Sequence, residues 1–107
     1  MKSLTIQARA MRDMEQARAY YQREAVHMTA AFATELDEAL LHVQRQPGMG
    51  SPRWGLQLGL PCLGAWSLCQ FPYVLMCRLT SEKIQLLRVL HQSIDIPQHL
   101  YKKVIAP

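Results

Sequence analysis

Long apolar segments are missing from this chain of 107 residues. Its longest apolar runs fall well short of the roughly 20 residues that a membrane-spanning helix requires. The first residues, Met1–Gln7, contain a single lysine, and Gln7 and Arg9 interrupt them before a signal-type apolar region develops. The sequence therefore predicts a cytoplasmic protein that has no membrane partner.

Motifs for cofactors and metals are lacking as well. The five glycines are scattered and form neither a phosphate-binding loop nor a G-x-G-x-x-G or G-x-S-x-G motif. His27 and His42 lie in one predicted helix, roughly 22 Å apart along its axis at 1.5 Å per residue. No H-x-x-x-H or C-x-x-C pair is present in the chain. We therefore expect neither a metal nor a cofactor.

The cysteines are few and odd in number, which argues against a disulfide framework. There are three of them, with Cys62 in a loop rich in glycine and proline and with Cys69 and Cys77 in predicted strands. A catalytic thiolate needs a nearby cation and partial exposure, and neither follows from the sequence. We interpret all three as reduced thiols that act as small apolar side chains.

Charge is unevenly distributed although the net charge is only +4. Residues 25–44 contain three acidic and no basic side chains, whereas residues 45–107 contain seven basic side chains against two acidic ones. A net charge of this size does not by itself indicate a nucleic-acid-binding protein, and no sequence-specific contact with nucleic acid is expected. The asymmetry predicts that the C-terminal part meets an acidic partner or a phosphate backbone.

The N-terminal half has the apolar periodicity of one strand followed by two helices. Leu4, Ile6 and Ala8 alternate with polar residues, as in a short edge strand. Apolar residues then recur at helical spacing from Arg9 to Glu24 and again from Val26 to Arg45. Arg9 and Asp13 are spaced as an i,i+4 ion pair on the first helix. These two helices predict an antiparallel hairpin.

The C-terminal half reads as strands separated by turns. Alternating leucines predict a short strand over 56–60, and three longer strands follow over 65–71, 73–79 and 84–91. The segment Tyr73–Cys77 is apolar throughout, which is typical of a central strand covered on both faces. Asp95 is placed to cap a short final helix.

We therefore predict one α+β domain over 1–107, in which a helical hairpin packs on a small, mainly antiparallel twisted sheet. The main elements follow the order β-α-α-β-β-β, with a short C-terminal helix. The residues expected in its core are Met14, Tyr21, Phe32, Leu36, Leu40, Trp66, Leu75 and Leu86.

Two arginines and a histidine in the predicted strands are the candidate functional residues. Arg78 shares a predicted strand face with Val74 and Met76, and Arg88 shares one with Ile84, Leu86 and Leu90. Each guanidinium either extends to solvent from a strand end or is held rigidly to grip a carboxylate or phosphate in a bidentate manner. His91 is either a proton donor or acceptor, or a polar residue that bonds a loop carbonyl.

Several segments along the chain resemble the ParE branch of the RelE/ParE toxin superfamily. They are Ala17-x-x-Tyr20-Tyr21, the stretch from Ala31 to Leu36, Pro47-x-x-Gly50, Leu63-Gly64-Ala65-Trp66, Phe71-Pro72-Tyr73 and Arg88-Val89-Leu90-His91. The predicted order of elements is also that of this family. The resemblance implies a small bacterial toxin that is encoded beside an antitoxin and that inhibits DNA gyrase without an enzymatic reaction of its own.

Residue roles follow from the resemblance only as expectations. The residues expected to contact the target are Gly64, Arg78, Arg88, His91, Lys102 and Lys103. One alternative is a RelE-like endoribonuclease that cuts messenger RNA on the ribosome, and its catalytic candidates are Arg78, Arg88, His91 and Tyr101. Such chemistry needs an acid or base for the 2′-hydroxyl and cations for the developing charge. Another alternative is a non-toxic protein that only binds the antitoxin.

The chain departs from the family pattern at two places. Gly64 stands where relatives carry an arginine, and Gln92–Asp95 lacks the arginines that many relatives have before the aspartate. Both differences remove positive charge. We expect residue 64 to lie on an exposed loop at the sheet edge, so that an arginine could be lost there without unfolding the protein. This predicts an attenuated toxin, in which Gly64→Arg raises toxicity with little change in melting temperature.

Overall fold

The computed structural model of the chain describes residues 2–93, which form helices packed on a four-stranded mixed sheet. The strands are β1 (Ser3–Ile6), β2 (Leu63–Ser67), β3 (Tyr73–Leu79) and β4 (Lys83–His91), and the helices are α1 (Ala8–Glu24), α2 (Thr29–Arg45) and α3 (Arg53–Leu58). Short 3-10 turns occupy Val26–Met28 and Pro47–Met49. Within 2–93, no helix is both long and apolar enough to cross a membrane.

The sheet has the strand order β1-β4-β3-β2. β1 runs parallel to β4, and the other two pairings are antiparallel. The α+β class and the mainly antiparallel sheet are therefore confirmed. β3 lies in the interior of the sheet with buried residues on both faces, as its continuous apolar sequence predicts. The final helix that Asp95 was expected to cap falls outside the described residues.

The strand predicted over 56–60 is wrong, because this segment forms the end of helix α3 and the turn after it. Gly59 has the left-handed conformation with φ of 73°, which ends the helix, and the Leu60 N–H then bonds the Gly55 carbonyl at 2.6 Å. Trp54 and Leu58, four residues apart, pack on the sheet from one helix face. The alternating leucines therefore reflect a single helical turn.

The prediction that Arg88 shares one strand face with Ile84, Leu86 and Leu90 is wrong, because β4 contains a β-bulge. Met76 pairs with Arg88 while the next residue of β3, Cys77, pairs with Leu86, so Leu87 is an extra residue in β4. An extra residue shifts the alternation of side chains by one position. Ile84 and Leu86 consequently face the helices, whereas Leu90 belongs to the apolar cluster on the other face of the sheet.

Seven of the eight predicted core residues are buried, and the eighth, Leu40, is partly buried against the same cluster. An aromatic group closes the space between the helices and the sheet. The ring centroid of Tyr21 lies 5.0 Å from that of Phe32 and 5.1 Å from that of Phe71. Such tilted and edge-to-face contacts are favourable for aromatic pairs. They connect α1, α2 and the β2–β3 loop in one core.

The β2–β3 loop is held to α2 by Glu35. Its carboxylate accepts hydrogen bonds from the backbone N–H groups of Cys69 at 3.0 Å and Gln70 at 2.9 Å. β2 ends at Ser67, so Cys69 lies exposed in this loop and is not in a strand as the sequence predicted. Glu35 satisfies two loop donors that no strand reaches.

Helix α1 is joined to β4 by Asp13. One oxygen of its carboxylate accepts hydrogen bonds from Arg88 Nε at 2.7 Å and from the Val89 N–H at 3.0 Å, and the other accepts from Arg88 Nη2 at 3.0 Å. Both side chains are only 11% exposed. This contact replaces the predicted Arg9–Asp13 pair. A bidentate pair shielded from solvent fixes the position of α1 on the sheet.

We expect Leu75→Ala to lower the free energy of unfolding by about 2–5 kcal/mol, the usual cost of such a core truncation. Leu75 is 0% exposed, whereas Leu56 is 70% exposed. Leu56→Ala is therefore the matched control, and its effect should stay within about 0.5 kcal/mol. Chemical denaturation of both variants measures the difference. Similar midpoints for the two variants would show that Leu75 does not occupy the core.

Asp13→Asn should destabilise the protein by about 1–3 kcal/mol, because it removes the charge that pairs with a largely buried guanidinium. The control is Glu24→Gln, which breaks the exposed contact with Arg23 and should cost close to nothing. Thermal unfolding at matched ionic strength compares the two. An Asp13→Asn variant as stable as Glu24→Gln would contradict a structural role for the Asp13–Arg88 pair.

Candidate functional site

A groove of about 550 Å³ lies between α1 and the end of β4. Asp13, Gln16 and Tyr20 line it from α1, and Tyr73, Arg88 and His91 line it from the sheet. Two of the predicted site residues, Arg88 and His91, therefore lie in one concavity. It is the natural candidate site, because a concave surface with convergent polar groups is the usual form of a binding site.

Aromatic rings form the wall of the groove. Tyr20 and Tyr21 contact edge to face with centroids 5.3 Å apart, and Tyr73 and His91 do the same at 5.2 Å. Burial, with a smaller effect of the neighbouring tyrosine hydroxyls, raises the pKa of Tyr73 above its usual value. Burial raises the pKa of Tyr21 in the same way. These phenols remain neutral near pH 7, so they can supply apolar surface and hydrogen bonds but no charge.

Arg88 has the bidentate carboxylate contact that the sequence suggested, but the carboxylate belongs to the protein itself. Two of its nitrogens are bonded to Asp13, and the side chain is 11% exposed. The alternative of a guanidinium extended to solvent is wrong. An arginine whose charge is already balanced is a poor cation for a developing phosphate charge. Its main role in the groove is therefore to hold α1 against β4.

His91 ends β4 with its imidazole exposed. Its Nδ1 accepts a hydrogen bond from the Ser93 N–H at 3.1 Å, so the contact is with a backbone donor and not with a loop carbonyl. This hydrogen bond assigns a proton to Nε2 in the neutral ring. The ring also packs on Tyr73. His91 can thus donate one hydrogen bond from Nε2 towards a partner.

The other predicted site residues do not line the groove. Arg78 lies half-buried on β3, where Leu63 and Gln85 flank it on the neighbouring strands. It shares its face with Val74 and Met76, as predicted. Gly64 lies on β2 at the far side of the sheet. Tyr101, Lys102 and Lys103 fall outside the described residues.

The expected position of residue 64 on an exposed loop is wrong. Gly64 is buried in β2, and the indole of Trp66 lies over it and over Gly50. A Cβ at residue 64 would lie 2.9 Å from the Trp66 ring, and one at residue 50 would lie 2.5 Å from it. Trp66 is itself only 8% exposed. Both glycines are therefore needed for the packing of Trp66.

Sequence reasoning missed the residues that shape the groove from α1. Asp13 was assigned to its helical neighbour, although its partner lies 75 residues further along the chain. Tyr20 was recognised only as part of a family segment, and Tyr73 on β3 only as part of a family segment and of a predicted central strand. The one available signal was an arginine in an otherwise apolar strand, since such a side chain needs a carboxylate if it is buried.

Nucleophilic and metal chemistry find no support among residues 2–93. Burial raises the pKa of the Cys77 thiol to about 12, so the thiolate is not populated at neutral pH. Cys62 and Cys69 are exposed and unbonded. No group of three or more histidine, cysteine, aspartate or glutamate side chains in this part of the chain is arranged to hold a metal ion.

Comparison with known proteins gives a consistent result. A family model described as the ParE toxin of the type II toxin–antitoxin system parDE matches residues 4–96. Toxin ParE1 of Caulobacter vibrioides is 31% identical over 101 residues, which cover 94% of this chain and 99% of the relative. The chromosomal ParDE TA system from P. aeruginosa contains a chain with a TM-score of 0.68 and 20% identity, and the match covers 85% of this chain and 96% of that one.

The last comparison supports the fold alone, because the sequence identity is low. The first two cover nearly the whole chain, and the family match runs from the second residue of β1 to beyond the end of β4. This protein belongs to the ParE toxin family of type II toxin–antitoxin systems.

Proposed function

We propose that this ParE-type toxin inhibits DNA gyrase by binding it, and that a cognate antitoxin encoded beside it neutralises it in the cytoplasm. Membership of the ParE family supports a toxin that acts together with an antitoxin. The P. aeruginosa chain with a similar fold comes from a chromosomal ParDE TA system. The observation that carries the binding mechanism is the engagement of Arg88 by Asp13. The groove thereby lacks a free cation on β4 that a reaction at phosphate would use.

The alternative function, an endoribonuclease, would require these residues to perform proton transfer and to stabilise charge as well as to bind. Cleavage through a 2′-hydroxyl needs a proton acceptor and donor together with cations near the phosphate. Of the four candidates, His91 is available in the groove, Arg88 is paired, and Arg78 lies on the strand face that carries Val74 and Met76. Tyr101 is outside the described residues. The described candidates thus do not converge on one reacting position, which favours binding over catalysis.

Arg78 is our candidate for a contact with gyrase. Among residues 2–93 it makes no ion pair, and it projects from a rigid central strand. A guanidinium in that position can bind a carboxylate on a protein surface at a small entropic cost. His91, and Lys102 and Lys103 beyond the described part, remain proposed target contacts. We no longer propose a direct contact for Gly64, because the indole of Trp66 covers it.

Apolar side chains exposed on both long helices support an antitoxin partner. Met11 and Tyr20 on α1 are 44% and 48% exposed, and Leu41 on α2 is 40% exposed. Met11 and Tyr20 are nine residues apart, so they lie on opposite sides of α1, and each offers a separate apolar position to a partner.

α1 also carries four arginines against three acidic residues; Asp13 pairs with Arg88 on β4 and Glu24 with Arg23, which leaves Arg9, Arg12 and Arg18 against Glu15. This excess of positive charge fits a partner with acidic side chains.

Purified protein should inhibit supercoiling by gyrase and leave ribosome-bound messenger RNA intact. Arg78→Ala should weaken the inhibition about tenfold, the usual loss when a charged interface contact worth roughly 1.4 kcal/mol is removed. A supercoiling assay run beside a ribosome-dependent cleavage assay measures both activities.

The matched control is Arg45→Ala, which removes an exposed arginine at the end of α2. It should inhibit gyrase as the unsubstituted protein does. Messenger RNA cleavage without gyrase inhibition would reverse the assignment in favour of the endoribonuclease. Equal inhibition by the Arg78 and Arg45 variants would remove Arg78 from the target surface.

Gly64→Arg should lower the melting temperature, in contrast to the expectation from sequence, because the new side chain must displace the Trp66 indole. Overpacking of this kind costs about 1–3 kcal/mol. Gly48→Arg introduces the same side chain where no atom lies within 4 Å of the new Cβ, and it should leave stability unchanged. Thermal unfolding and growth inhibition are measured together. A Gly64→Arg variant that is more toxic and equally stable would restore the attenuation hypothesis.

A further inference from the structure

Two neighbouring backbone N–H groups in the β2–β3 loop converge on one carboxylate. Oε1 of Glu35 accepts from Cys69 at 3.0 Å and from Gln70 at 2.9 Å, and its Oε2 lies 3.3 Å from the Gln70 nitrogen. Successive N–H groups that converge in this way form a concave nest, which prefers an anion. Hydrogen bonds to an ionised acceptor are also stronger than neutral ones. Glu35 is therefore a strong anchor for the start of this loop.

The anchor belongs to α2 and lies apart from the groove. Glu35 lines a separate hollow of about 310 Å³, together with Glu38 on the next turn of the same helix and Gln70 of the loop. Glu35 is half-buried in this hollow, whereas Glu38 is exposed. Of these two carboxylates, Glu35 is the one that holds the loop. The pair thus offers two acidic side chains in one place with different contacts.

The far end of the same loop forms part of the groove. Phe71 is buried, and its ring centroid lies 5.1 Å from that of Tyr21 and 5.2 Å from that of Phe32. The Tyr73 N–H bonds the Phe71 carbonyl at 2.9 Å, which closes a three-residue turn around Pro72. The proline ring fixes φ in this turn. Pro72 and Tyr73 then line the groove.

This turn also fixes the chain where it leaves β4. The Pro72 carbonyl accepts the Gln92 N–H at 2.9 Å. Gln92 stands directly after His91, whose ring packs on Tyr73. The next residue, Ser93, donates its N–H to His91 Nδ1. The direction in which His91 presents Nε2 therefore depends on the position of Pro72.

We propose that Glu35 is a positioning residue for the groove. Its carboxylate holds the start of the β2–β3 loop, the loop holds Pro72, and Pro72 sets the end of β4 that presents His91. This role rests on the proposed function, in which His91 contacts gyrase. It gives α2 a part in target binding that requires no contact between Glu35 and gyrase.

Two other roles of Glu35 lead to different expectations. A residue needed only for stability would loosen the whole fold when removed. A carboxylate that attracts a basic partner would act through its charge, so aspartate could replace it and glutamine could not. A positioning residue needs an acceptor at the right distance. Glutamine keeps an oxygen at that distance, whereas aspartate is shorter by one methylene group and does not reach both donors.

The first test measures inhibition of gyrase supercoiling by full-length Glu35→Ala, Glu35→Asp and Glu35→Gln toxins. We expect the alanine and aspartate variants to inhibit about fivefold more weakly than the unsubstituted protein, because the loop donors lose their acceptor, and the glutamine variant to stay within about twofold.

Glu38→Ala is the matched control, since it removes the same charge from the same hollow, and it should inhibit gyrase normally. Full activity of Glu35→Asp combined with a loss in Glu35→Gln would show that charge matters and reach does not. A loss in Glu38→Ala as large as that in Glu35→Ala would show the same. Either result would overturn the positioning role.

Amide hydrogen exchange of Glu35→Ala tests the connection through the loop. The Cys69 and Gln70 amides lose their acceptor directly. The Gln92 amide should also exchange at least about fivefold faster than in the unsubstituted toxin, because the Pro72 carbonyl is held less firmly. The amide of Leu75, in the interior of the sheet, should keep its rate. An unchanged Gln92 rate, or equal acceleration at Gln92 and Leu75, would overturn the proposal.

Failure of this role and failure of the proposed function give different results. If the unsubstituted toxin does not inhibit gyrase, the proposed function is refuted, and the exchange rate of Gln92 still decides whether Glu35 positions the end of β4. If the toxin inhibits gyrase and all three Glu35 variants inhibit it equally well, the proposed function stands and the role of Glu35 is refuted.

Discussion

The carboxylate of Asp13 is the constraint on which the arrangement of this toxin depends. β1 stops at Ile6, so among residues 2–93 no strand lies beside the edge of β4 beyond Leu86. Asp13 supplies the missing acceptor for the Val89 N–H and holds the Arg88 guanidinium with the same group. A buried donor and a largely buried cation would each be costly if unpaired. One side chain on α1 satisfies both, and this fixes the helix that forms a wall of the groove.

The bulge at Leu87 makes that contact possible. The Leu86 carbonyl points to the outer edge of β4, because it accepts from Gln7. Strict alternation would then place the Arg88 N–H at this edge, but the extra residue moves the outward position to Val89. Arg88 and the Val89 N–H thereby reach one carboxylate from adjacent positions. The same shift turns the backbone N–H and C=O of His91 towards the outer edge of β4. The bulge therefore causes both the contact of β4 with Asp13 and the outward direction of the His91 backbone.

The sequence predicts the features of this fold that depend on local patterns. The periodicity of α1 and α2 extends over several turns, and β3 is apolar from Tyr73 to Cys77, so both could be assigned. α3 has six residues, too few to distinguish a helical turn from an alternating strand. The Asp13–Arg88 contact joins residues 75 positions apart, and the bulge and the orientation of the Trp66 indole over Gly50 and Gly64 are set by tertiary packing, which no local pattern shows. Arg88 and His91, which line one groove, could therefore be named as candidate site residues, but their partners could not be found from the sequence.

The ion pair of Arg88 bears on which of two activities the sheet supports, cleavage of nucleic acid or binding of a protein target. A nuclease built on this sheet needs its strand cations free and close to a phosphate, whereas a toxin that only binds can use such a cation for structure. Here the guanidinium is bound internally, and its carboxylate is no longer available to Arg9 at the surface of α1. The internal pair therefore neutralises the Arg88 cation in the groove, and it leaves Arg9 on α1 without an ionic partner among residues 2–93. Both effects favour recognition of a protein segment over chemistry on nucleic acid.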